Sequence, residues 1–195
     1  PIFKNYWENT YTISKITAEN FVRMFREVYN MDITVLRWMN ASGPRQHVYP
    51  VRKFIPMIIT QAILNEDIEI YGTGNQTVDI IDVRDIAKIA IKSTRNGIGK
   101  DLSKVYDVGS GHAISCNEVA EYVVKKINSK SKINHVPMRI GEALDTKIAA
   151  KTHNELLGKI DYKLEYSFEN TMDACIDYMN NLDESYLKKA YNFFK

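Results

Sequence analysis

A chain of 195 residues with 45% hydrophobic and 26% charged side chains has ordinary globular composition, enough for one full domain or a domain plus a lobe. Its 26 basic and 24 acidic residues leave a net charge of +2, which gives no reason to expect a nucleic-acid or membrane partner. Two cysteines (Cys116, Cys175) and four scattered histidines (His47, His112, His135, His153) lack metal-ligand spacing, and no apolar run is long enough to span a bilayer.

The first periodic stretch runs from Thr12 to Tyr29, where Ile13, Phe21, Met24 and Val28 share one helical arc. Ala18, Val22 and Phe25 widen it, which predicts a helix buried against two neighbours. Asn9 or Thr10 is placed to cap its start, and Asn30-Met31-Asp32 ends it. Ile33 to Trp38 is β-branched and aromatic, a short and mostly buried strand that runs into a turn-rich loop, Asn40-Ala41-Ser42-Gly43-Pro44. Phe54 to Leu64 reads as a helix with Pro56 in its first turn. Glu69 to Tyr71 is a strand closed by Gly72-Thr73-Gly74-Asn75, Thr77 to Ile81 is extended, and Val83 to Ser93 is helical with Asp82 as its cap. Val105 to Val108 is a strand closed by Gly109-Ser110-Gly111. Ser115 caps a helix reaching Ile127, with Glu118 completing a capping box. Both cysteines fall in stretches that read as helical, and the basic run Lys125, Lys126, Lys130, Lys132 reads as a solvated helix end and loop. Ile133 to Val136 is a further strand, followed by helices near Lys147–Leu157, at Phe168–Asn180 and in the tail.

Alternation of helices and strands indicates an α/β fold. No Gly-x-Gly or Gly-x-x-Gly fingerprint follows a strand at the amino end. Gly72-x-Gly74 and Gly109-x-Gly111 do follow strands, but tight turns explain each at least as well.

Tyr11 and Lys15 stand one helical turn apart and project side by side. An adjacent ammonium favours a phenolate, and a phenol so tuned can take a proton from a substrate hydroxyl as hydride leaves the same carbon. Tyr-x-x-x-Lys also arises by chance in many helices, and an exposed surface pair is the plainer reading of the spacing alone.

The context carries more. Tyr11-x-x-Ser14-Lys15-x-x-Ala18-Glu19, Leu36-Arg37-Trp38-Met39-Asn40, Gly43-Pro44-Arg45-Gln46 and Phe54-Ile55-Pro56 come in this order. Ile70-Tyr71-Gly72-x-Gly74-x-Gln76-Thr77, Asp82-Val83-x-Asp85, Val105-Tyr106-Asp107-Val108-Gly109-Ser110-Gly111 and Glu155-Leu156-Leu157-Gly158 follow. Taken together they resemble the extended short-chain dehydrogenase/reductases, specifically the nucleotide-sugar epimerases and dehydratases. The resemblance implies a partial Rossmann-type, doubly wound parallel sheet with a small α/β substrate-binding lobe. It places a remnant of the dinucleotide-binding domain at 1–50 and mainly the substrate lobe at 51–195, with 76–110 partly returning to the sheet. It also implies a dinucleotide-binding half of roughly 100–150 residues before the Tyr-Lys helix, so the chain looks like the back half of such a protein.

By the same resemblance Tyr11 is the base that deprotonates a sugar hydroxyl, and Lys15 holds the nicotinamide ribose of NAD and tunes Tyr11. Trp38 lines the nicotinamide pocket or is a core aromatic. Asn40 bonds the phosphates of the sugar nucleotide or steadies a turn. Lys53 and Phe54 flank the bound nucleotide, though Lys53 also suits a solvated helix start. Tyr71 lies beside the base or simply packs, and Arg139 grips the diphosphate. Two positions depart from the family pattern: Val78 stands where arginine is usual, and Asp107 where asparagine is common. Asp82 and Asp85 match the pattern but are explained by capping and local hydrogen bonding. The expected function is NAD-dependent epimerisation or dehydration of a nucleotide-diphosphate sugar. The alternative is a non-catalytic module for sugar-nucleotide binding or assembly. The expected partners are the sugar nucleotide and either a second copy, in a homodimer, or a separate amino-terminal half; the expected setting is a reducing cytoplasm.

Overall fold

The computed structural model describes residues 10–98, 105–139 and 149–195. Its helices are α1 (Thr10–Tyr29), α2 (Phe54–Leu64), α3 (Val83–Arg95), α4 (Cys116–Ile127), α5 (His153–Lys159), α6 (Phe168–Asn180) and α7 (Glu184–Phe193). Its strands are β1 (Val35–Trp38), β2 (Asn40–Ser42), β3 (Ile68–Tyr71), β4 (Thr77–Asp82), β5 (Val105–Val108), β6 (Ala113–Ser115) and β7 (Ile133–Val136). β1 pairs with β5 and β3 with β7, both in parallel. β4 lies between β2, parallel to it, and β6, antiparallel to it. The result is a mixed α/β fold with mainly parallel pairing, as the alternation of elements predicts.

β4 organises the interior. Successive strand residues point to opposite faces. Ile80 therefore joins a large core with Ile55, Ile58, Ile59, Ile70, Val119, Val123, Met172, Ile176 and Leu187. Ile81 joins a smaller core with Ile89, Tyr106, Val108, Leu156 and Ile160. The large core is built from α2, α4, α6 and α7 over β3 and β4; the small one lies between α3, β5 and α5. Local signals set the helix starts: Ser115 with Glu118 and Ser167 with Asn170 form capping boxes, and the Asp82 carboxylate accepts from the Arg84 amide at 2.8 Å.

Several expectations need correction. The apolar face of α1 is not buried between two neighbours: Phe21, Met24, Phe25 and Val28 are exposed, and Arg26 is the helix's one buried residue. α1 is tied down by polar contacts instead. Arg26 donates through Nε to the Ile33 carbonyl at 2.6 Å, and Arg37 forms a two-pronged pair with Glu19 at 2.6 and 2.7 Å. The following strand starts at Val35 and not at Ile33. It is half-buried at Val35 and Leu36 and exposed at Arg37 and Trp38. The expected loop at 40–42 is strand β2, drawn into register with Ile80–Asp82 of β4. Ala113–Ser115, to which no element was assigned apart from the Ser115 cap, is strand β6. The helix expected from Lys147 starts at His153, and Lys147 itself lies outside the described residues, as does Asn9. Here the Ala150 amide donates to Asp79 at 2.7 Å and Thr152 Oγ1 accepts from the Asp107 amide at 2.6 Å, so 149–152 bonds to β4 and β5 and not to a turn of its own.

Candidate functional site: a cationic cleft at the start of α2

The start of α2, the outer face of β3 and the residues following β7 enclose a cleft lined by Arg52, Lys53, Phe54, Met57, Ile58, Glu69, Tyr71 and Arg139, with about 370 Å³ of space including its open mouth. Each wall follows from its sequence. α2 is apolar nearly all round and buries Ile55 through Ala62, which fixes its amino end in place. Lys53 stands in extended backbone at the N-cap of α2, and Pro56 in the first turn carries no amide hydrogen. β3 alternates strictly: Ile68 and Ile70 enter the large core while Glu69 and Tyr71 face outward. Gly72 has φ +72°, a left-handed backbone conformation that glycine adopts without strain, and a Cβ there would meet the flexible end of the Met138 side chain at 2.6 Å.

Tyr71 is the centre of the cleft. The Arg139 guanidinium lies over its ring at 4.6 Å from the centroid and that of Arg52 at 5.4 Å. Arg52 is also paired with Glu69 at 3.1 Å. Among the described residues, the lining carries three cations, one carboxylate and two aromatic rings beside the amino end of α2.

Four of the eight residues singled out by sequence, Lys53, Phe54, Tyr71 and Arg139, thus line one cleft. The other four lie elsewhere. Tyr11 and Lys15 are neighbours on exposed α1, with the ammonium 5.2 Å from the ring centroid, and Tyr11 is 69% exposed. Trp38, 36% exposed, ends β1 opposite Val108. Asn40 follows two residues on and donates through Nδ2 to the Asp79 carbonyl at 3.4 Å. Among the described residues, none of these four lines the cleft. Trp38 and Asn40 do lie at the carboxyl end of a parallel strand, where ligands of open α/β sheets bind.

The two departures from pattern have local explanations. Val78 lies opposite Ile114 on β6, and both pack against the large core. Asp107 faces Arg37 across the β1–β5 ladder at 3.7 Å, and the pair sits outside the cleft. Both flanking carboxylates pull on Arg37, Glu19 most, and hold its guanidinium above its usual range.

Three buried carboxylates around β4 frame the region. Asp79 is fully buried and accepts from the Ser110 amide and hydroxyl at 2.6 and 2.7 Å, from Gly111 at 3.1 Å and from Ala150 at 2.7 Å. It fixes the Gly109-Ser110-Gly111 turn; a Cβ at Gly109 would meet its carboxylate at 2.5 Å. Asp85 accepts from the Tyr162 hydroxyl at 2.6 Å and from the Glu165 and Tyr166 amides at 3.1 and 3.2 Å, which straps 162–166 onto α3. Burial and the Asp85 charge push the Tyr162 phenol far up. For Asp82 burial works toward the neutral form, but bonds from the Arg84 side chain and amide and from Thr171 outweigh it and hold the carboxyl below its ordinary range. Asp82 and Asp85 are structural, as their spacing implies. Sequence reasoning missed Asp79, whose one signal is an acid set inside the apolar extended run of Val78, Ile80 and Ile81. It also missed Arg52.

Residues 4–109 match the NAD dependent epimerase/dehydratase family, and the chain belongs to that family of nucleotide-sugar enzymes. It is 33% identical over 90% of its length to the low-salt glycan biosynthesis protein Agl12 of Haloferax volcanii, of which it covers 54%. It is 26% identical over 88% of its length to a putative UDP-glucose 4-epimerase of Methanocaldococcus jannaschii, of which it covers 53%. The chain spans about half the length of these curated relatives. Among solved structures it superposes on the epimerase Mth375 of Methanothermobacter thermautotrophicus with a TM-score of 0.83 at 21% identity, over 93% of this chain and 53% of that one. A UDP-N-acetylglucosamine 4-epimerase of Methanobrevibacter ruminantium, solved with UDP-N-acetylmuramic acid, gives a TM-score of 0.74 at 29% identity, over 90% of this chain and 60% of that one.

Proposed function

We propose that this chain supplies the sugar-nucleotide side of an NAD-dependent epimerase or dehydratase. The observation that carries the reading is the gathering of Lys53, Phe54, Tyr71 and Arg139 around one cleft in a chain of this family. The diphosphate lies between Lys53 and Arg139, where fixed guanidinium and ammonium charges meet its oxygens, and the base stacks beside Tyr71 and Phe54.

The residues present fit part of a nicotinamide site. Lys15 and Tyr11 project together from α1, and Trp38 ends the adjoining strand with its ring partly open. These three hold the nicotinamide end of NAD, which when bound supplies the hydride acceptor for a sugar carbinol. In its phenolate form, with the Lys15 ammonium beside it as counter-charge, Tyr11 takes the hydroxyl proton at its oxygen and becomes the neutral phenol. The exposed apolar face of α1 is covered by a second copy or by a dinucleotide-binding half.

A second reading has its own support. The described lining of the cleft gathers four of the singled-out residues while Tyr11 is exposed, which favours a chain that by itself acts as a sugar-nucleotide-binding module. Turnover separates the two. UDP-, dTDP-, GDP- and ADP-sugars are assayed with NAD in the full-length protein, wild type against Tyr11→Phe. The enzyme reading expects kcat to fall by about 10²–10⁴-fold with sugar-nucleotide binding unchanged. A variant that turns over as fast as wild type removes Tyr11 from the chemistry.

A further inference from the structure

We propose that Arg52 is a further anion-binding residue of the cleft, one that leaves Glu69 for the diphosphate when a sugar nucleotide enters. The inference rests on the nucleotide-sugar reading of the cleft. Arg52 precedes the N-cap of α2, and its guanidinium is held at two points: over the Tyr71 ring at 5.4 Å, and at the Glu69 carboxylate through one contact of 3.1 Å. The ring sets the plane of the guanidinium, and one carboxylate contact engages a single edge of a five-donor fork. Its side chain is one-quarter exposed and that of Glu69 about half, so the pair is weakly held and readily exchanged for a doubly charged ligand.

The surroundings favour that exchange. Among the described residues that line the cleft, Lys53, Arg139 and Arg52 are the cations and Glu69 the acid. The diphosphate bridge of a sugar nucleotide carries two negative charges at neutral pH and is drawn to that cationic lining. Both guanidiniums lie over the same tyrosine ring, so their mutual repulsion is relieved when an anion bridges them. Glu69 then acts as a placeholder. It keeps Arg52 aimed along β3 in the empty cleft and competes with the ligand for it.

The test is calorimetric titration of wild type, Arg52→Met, Arg52→Lys and Glu69→Gln with UDP, dTDP, GDP and ADP, and with the corresponding nucleosides. Circular dichroism melts establish that each variant is folded. The proposal expects Arg52→Met to weaken the best-bound nucleoside diphosphate about tenfold, with a flatter salt dependence, and its nucleoside less than about twofold. Arg52→Lys should fall between, and Glu69→Gln should bind the diphosphate about threefold tighter because the competing carboxylate is gone. Equal diphosphate affinity in wild type and Arg52→Met overturns the inference while the cleft reading stands. Equal weakening of diphosphate and nucleoside also overturns it, since Arg52 then serves only to pack Tyr71. A wild type that binds none of the four diphosphates overturns the cleft reading itself, and the inference with it.

Discussion

At the scale of single residues, the buried carboxylates decide more than the exposed charges do. Asp79 is fully buried and satisfies four donors on the 109–111 turn and Ala150. Asp79→Asn keeps the shape but turns an amide NH₂ toward backbone N–H groups, so it should cost about 2–4 kcal/mol of unfolding free energy by urea denaturation. A loss below about 1 kcal/mol would mean that the turn holds without it. Asp82 adds a pH dependence. Its folded pKa lies below its unfolded value, so its contribution is fully present above about pH 4 and is lost as pH falls through the lowered folded value. Urea midpoints from neutral to acid pH should therefore drop more steeply below about pH 4 in wild type than in Asp82→Asn; parallel curves would contradict the shift. Lys53, Phe54, Tyr71 and Arg139 were singled out by the resemblance to the family pattern, and they line one cleft. Arg52 and Asp79 were not singled out. The value of Arg52 lies in a ring contact to Tyr71, nineteen positions away, and that of Asp79 in donors from two distant loops.

At the scale of elements, the helices with clear caps were legible to within a residue or two, whereas β2, β6 and the start of α5 were not. Each of the missed elements is short and owes its conformation to β4 or β5, so propensity over three or four residues carries little information. α1 shows the converse case. Its period was read correctly, but its burial was not, because amphipathicity reports that a face seeks cover without saying which chain provides it. Phe21, Met24, Phe25 and Val28 remain exposed, and α1 is anchored by Arg26 and the Glu19–Arg37 pair. The exposed Glu19–Arg37 pair contributes little. At low micromolar concentration the α1 amides should exchange at least about a hundredfold faster than those of α2, and should slow as concentration rises and another copy covers the face. An α1 as well protected as α2 at every concentration would place its cover within the chain itself.

At the scale of the whole molecule, β4 makes one cooperative unit of two cores. Ile80 and Ile81 are adjacent, both nearly fully buried, and point into different cores. Truncating either to alanine removes three methyl or methylene groups from a packed interior, at about 2–4 kcal/mol each. If the cores were independent, Ile81→Ala would loosen only the elements around Tyr106 and Val108, and Ile80→Ala only those around Val119 and Val123. But β4 cannot leave one core and stay in the other. Its backbone pairs with β2 on one side and β6 on the other, and its acids Asp79 and Asp82 hold the β5 turn and the α3 start. The amides of Tyr106, Val108, Val119 and Val123 should thus exchange through one shared opening. Either substitution should raise the exchange rates of all four by the same factor, about thirtyfold or more. The measurement is amide exchange followed residue by residue in both variants. Acceleration of only the β5 amides in Ile81→Ala would split the chain into two separately unfolding bodies. The cleft stands on the large core through α2 and β3, so cooperative coupling across β4 also ties the rigidity of its walls to the turn that follows β5.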